Sequence, residues 1–123
     1  ELTKALSAKD MLKCYRISHF FGESEKRYPI QMILAALSSH FLKILRFHAL
    51  IADNVPKSEI LSQLGINPYF GREYDLAVKN YSAKKTMKVI AILKEFDYRS
   101  KSNARGNASD GELLQELVSR ILN

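Results

Sequence analysis

Gly65-Ile66-Asn67-Pro68-Tyr69-Phe70, followed shortly by Leu76-Ala77-Val78-Lys79-Asn80-Tyr81-Ser82, joins two helical patterns through a sharp turn. Upstream, Pro56 opens a short helix with Ile60, Leu61 and Leu64 inward. Gly65 closes it, because glycine accepts the left-handed backbone that ends a helix. Asn67-Pro68 then repeats the start signal, a capping side chain followed by a residue without an N–H. The helix that follows carries Phe70, Tyr74, Ala77, Val78 and Tyr81 on one face. A helix, a tight turn and a second helix set the pattern for the rest of the chain.

Toward the N-terminus, Pro29 opens the longest apolar stripe: Ile30, Ile33, Leu34, Leu37, Phe41, Ile44, Leu45, His48 and Ile51. Leu42 and Ala49 widen it toward a second side, which predicts a central helix packed by more than one neighbour. It ends at Asp53-Asn54. Before it, Ser7 with Asp10 resembles a capping box for a helix over 8–21, stopped by Gly22, with a charged connector from Glu23 to Arg27. Toward the C-terminus, Ser82 caps a helix with Met87, Val89, Ile90, Leu93 and Phe96 that runs to about residue 101. Residues 102–111, rich in Ser, Asn and Gly, form a loop. Ser109 or Asp110 caps a last helix with Leu113, Leu114, Leu117, Val118, Ile121 and Leu122 inward. No segment alternates with a period of two, so the chain reads as all-α: one irregular, orthogonal bundle of about five to six helices over residues 1–123.

A length of 123 residues suits one domain. The single cysteine, Cys14, excludes an internal disulfide framework and points to a reducing compartment. No unbroken apolar run reaches the roughly 20 residues of a membrane span. The chain opens on Glu1-Leu2-Thr3-Lys4 without an initiator Met, as a C-terminal piece of a longer protein would. The net charge of +6 is concentrated. Residues 79–105 hold Lys79, Lys84, Lys85, Lys88, Lys94, Arg99, Lys101 and Arg105 against Glu95 and Asp97, while the rest is balanced. Such a segment attracts nucleic acid or an acidic partner if it is not simply a solvated helix face.

No enzyme site, metal site or cofactor site emerges. His19, His40 and His48 lack the i,i+4 pairing of helical zinc ligands, and Cys14 has no second thiol. Glu112 and Glu116 share a face without a matching histidine, and no glycine loop ending in Lys-Ser/Thr cradles a phosphate. The 57–81 region invites a stand-alone helix–turn–helix DNA-binding reading. Against it, the residues that would enter a groove are Tyr69, Phe70, Gly71, Arg72, Glu73 and Asp75, one cation against two acids.

A family resemblance covers nearly the whole chain from about residue 7. Gly65 to Phe70, the run Lys79-Asn80-Tyr81-Ser82, the tail Ser109-Asp110-Gly111-Glu112-Leu113-Leu114 with Glu116-Leu117, Pro29 to Phe47, and Glu95-Phe96-Asp97-Tyr98 with Lys101 carry it. In order and spacing they resemble the C-terminal domain of the delta subunit of the bacterial DNA polymerase III clamp loader. The resemblance implies a collar domain, one of five helical domains packed side by side into a ring that holds AAA+-related modules. It implies other clamp-loader subunits as partners, a sliding clamp gripped only through the N-terminal part of the subunit, no membrane, no cofactor and a cytoplasmic location. It further implies a loop at 102–111 near primer–template DNA, which makes Lys101, Asn103, Arg105 and Asn107 candidate DNA-proximal residues. Tyr69, Phe70, Tyr74 and Tyr98, aromatic beyond the needs of a small core, are candidate subunit-interface anchors.

Overall fold

The computed structural model describes residues 1–23, 29–102 and 108–123. Among them the chain forms seven α-helices and one 3₁₀ turn. These are α1 (Leu2–Ser7), α2 (Met11–Glu23), α3 (Ile30–Ala52), α4 (Lys57–Gln63), the 3₁₀ turn (Pro68–Phe70), α5 (Gly71–Asn80), α6 (Ala83–Lys101) and α7 (Asp110–Leu122). No strand occurs among the described residues, in keeping with the all-α expectation. Part of the charged connector, residues 24–27, lies outside them.

The extra helix comes from the N-terminus. Ser7 does not cap a helix; it ends α1, and its hydroxyl bonds instead to His40 Nε2 at 2.8 Å. Lys9 turns the chain with a left-handed φ of 53°, and Asp10 takes the capping role, its carboxylate accepting from the Lys13 N–H at 3.2 Å. The other start signals act where the sequence places them. Pro29 and Pro56 precede the first helical residue with extended backbone, and Ser82 accepts from the Lys85 N–H at 3.0 Å. Ser109 and Glu112 form a reciprocal capping box. Each such cap is worth about 1 kcal/mol, because it satisfies backbone donors a helix start leaves free.

α3 is the axis. Its apolar stripe buries Ile30, Leu34, Leu37, Phe41 and Ile44, and α4, α5, α6 and α7 all pack against it. By length and composition α3 could cross a membrane, which the absence of an unbroken apolar run did not suggest; its inner face is instead occupied by the other helices. Leu42 and Ile51 stay exposed, so the stripe is narrower than the sequence pattern implied. α6 runs antiparallel to α3: its end meets the start of α3 at Leu93, Lys94 and Leu34, and its beginning meets the end of α3, where His48 bonds to the Tyr81 carbonyl at 2.7 Å. α7 is antiparallel to α6, joined by Arg99, which donates to both Glu116 oxygens at 2.8 and 3.1 Å, and by the Arg120–Glu95 pair. The Arg99 contact holds Glu116 below the usual carboxylate range.

Gly22 does not stop α2. It lies inside the helix where α2 meets α7, and a Cβ there would sit 2.9 Å from the Gly111 Cα. The two backbones touch because neither residue has a side chain. At the opposite end Tyr81, fully buried, donates to the Leu6 carbonyl at 2.7 Å and meets Phe41 edge to face at 5.3 Å. This ties α1 and the α5–α6 junction to the axis.

Candidate protein–protein interface

The 65–70 turn is built so that its base is fixed and its tip projects. Gly65 takes φ +68°, and the Ile66 N–H bonds to the Leu61 carbonyl at 2.8 Å, which ends α4 with a left-handed motif. Ile66 is buried and anchors the base. Asn67 then accepts from the Tyr69 N–H at 2.9 Å and caps the single 3₁₀ turn begun by Pro68. The fixed φ of proline and this cap leave the next two residues little freedom.

Those residues are Tyr69, 84% exposed, and Phe70, 47% exposed, with rings edge to face at 5.2 Å and 88°. Two aromatic side chains held against each other in water, on a backbone that is already ordered, make a cheap surface to bury, since little entropy remains to be lost. Phe70 also borders a cavity lined by His40, Ile66 and Tyr74. Tyr98, on α6, is 67% exposed and stands outside that pair.

Tyr74 behaves differently from the other candidate anchors. Its ring lies parallel to Phe47 (3°, centroids 6.4 Å apart), 5.1 Å from His40, and it is 7% exposed. The core occupies most of it. Burial raises its phenol pKa. Of the candidate DNA-proximal residues, Lys101 is exposed and pairs with Asp97 at 3.2 Å; Asn103, Arg105 and Asn107 lie outside the described residues.

Cys14, His40, Glu112 and Glu116 each have a structural setting. Cys14 is buried and its thiol is pushed up to about 11 by burial and by Asp10, so it stays protonated near neutral pH. His40 is 7% exposed, and burial with Lys43 nearby pushes it down to about 4. Glu112 belongs to the capping box and Glu116 to the Arg99 pair. Among the described residues no cluster of three or more His, Cys, Asp or Glu is placed to hold a metal. The helix–turn–helix reading also loses its cation on the first helix, because Lys57 pairs with Asp75.

Fold and tip together define a small all-α domain that presents aromatic side chains on a rigid turn. Residues 1–118 match the family model of the DNA polymerase III delta subunit, C-terminal domain, and the chain belongs to that family. The delta subunit is a clamp-loader component of the replication machinery, and this domain is not a catalytic polymerase domain. Comparisons with curated proteins and with solved structures returned no match.

Proposed function

We propose that this domain is the collar through which its subunit joins the other subunits of the clamp loader, and that Tyr69 and Phe70 anchor that contact. The observation that carries the reading is the exposed, mutually braced aromatic pair on an Asn67-capped turn. Interface hot spots are enriched in aromatics that dock as preformed units. Tyr98, exposed on α6, is a second anchor. The reading includes a cytoplasmic location, no membrane partner, no bound cofactor, and a sliding clamp reached only through other parts of the parent subunit.

The test is co-purification of the parent subunit with its clamp-loader partners, comparing the unaltered protein with Tyr69→Ser/Phe70→Ser. Loss of a hot-spot pair worth at least about 2 kcal/mol weakens association some 30-fold or more. Unchanged assembly by the double variant overturns the anchor assignment. Contact of the 102–111 loop with primer–template DNA belongs to the same proposal and is supported by the exposure of Lys101. Charge reversal at Lys101 and Arg105 lowers the DNA affinity of the reconstituted loader; an unaltered affinity removes that part.

A further inference from the structure

α6 leads at its C-terminus toward residues 102–111, but its strongest charge is at the other end. Lys84 and Lys85 lie in its first turn with no acid there, and Lys88 follows one turn on. The positive end of a helix disfavours cations, so folding alone does not account for lysines at this place. Lys9, from the turn between α1 and α2, comes up beside them, its Nζ 4.9 Å from the centroid of the Tyr81 ring. Lys9 holds a left-handed backbone that glycine or asparagine would take at lower cost. Burial together with Lys9 and Lys88 depresses the pKa of Lys85, so the positive field here is not compensated. None of Lys9, Lys84, Lys85 and Lys88 has a carboxylate within ion-pair distance among the described residues, whereas Arg99, Lys101, Arg120 and Lys57 each have one.

We infer that Lys9, Lys84, Lys85 and Lys88 form a second surface, which binds the phosphate backbone of nucleic acid without reading its sequence. From Lys84 to Lys88 the helix rises about 6 Å, so the two side chains stand one turn apart on one face, where each can meet a phosphate of the same strand. Its chemistry differs from that of the aromatic tip. Lysine is depleted in the buried centre of protein interfaces, where its hydration is lost, but serves well against phosphate, which stays hydrated. The inference does not depend on the role of Tyr69 and Phe70.

The experiment is a fluorescence-anisotropy titration of the 123-residue chain with a labelled 20-mer of thymidylate, repeated across salt concentrations. The variant is Lys84→Gln/Lys88→Gln, and the charge-matched control is Lys43→Gln/Arg72→Gln. Binding that weakens with salt is expected. The double variant lowers the slope of log K against log salt by about 1.4, which is about 0.7 for each phosphate no longer neutralised. The control keeps the slope of the unaltered chain. Lys9→Gly, which suits the left-handed backbone, melts no earlier than the unaltered chain and binds more weakly. Three results overturn the inference. One is no binding at low salt, and another is an equal loss in variant and control. The third is displacement of the oligonucleotide by an oligo-glutamate of equal charge at equal concentration, which identifies an acidic protein surface as the partner.

Discussion

His40 is buried against Phe41 and Tyr74 with Ser7 as its hydrogen-bond partner, and this makes it a point in the core that is sensitive to acid. Its folded pKa of about 4 lies below the ordinary 6.5. The unfolded chain therefore binds the proton more readily, and stability present in full above pH 6.5 is lost as pH falls from 6.5 toward 4. The loss is on the order of 3 kcal/mol. Urea unfolding of the unaltered chain and His40→Gln at pH 7 and pH 4.5 checks this: the unaltered chain loses more stability than the variant. Equal losses would place the acid sensitivity elsewhere. The aromatic residues give a second contrast at this scale. Tyr74→Ser removes a ring packed on Phe47 and costs about 3–5 kcal/mol, while Tyr69→Ser, at an exposed tip, changes stability by less than about 0.5 kcal/mol. Thermal melts of the two variants separate core from surface. The residue pattern alone could not, because both tyrosines fall near the same helix start and period.

Helix ends and helix crossings differ in how far sequence discloses them. Ser82, Ser109, Asn67, Pro29 and Pro56 mark their elements because a cap acts within four residues of itself. Ser109→Ala, which breaks the capping box of α7, lowers stability by about 1 kcal/mol in denaturant unfolding. Gly22 is the counterexample. Its neighbours suggest a terminator, but its role is set by Gly111, in a helix nearly ninety residues away. Gly22→Ala and Gly111→Ala each push α2 and α7 apart and cost about 1–3 kcal/mol. The double variant costs less than the sum of the two, since a crossing already opened by one methyl accommodates the other. A strictly additive result would mean that the backbones do not meet there. Ser7 fails as a cap for a similar reason: its hydroxyl is engaged by His40, 33 positions away.

Across the whole molecule, periodicity was enough to show an all-helical chain and the central place of α3, because burial of one face per helix repeats every three or four residues. It overestimated the breadth of the buried face, since Leu42, Ile51 and Met87 fit the stripe yet remain exposed. The family was legible from the order of its motifs, and the match over residues 1–118 agrees. Sequence by itself determined what is local: where the helices after Pro29 begin, which faces are apolar, and that positive charge collects after residue 79. Only the tertiary structure decided which aromatics are used up internally, which glycines let helices touch, and which lysines pair with a carboxylate among the described residues. Those outcomes depend on partners distant in the chain, and their positions are settled only when all the helices pack at once.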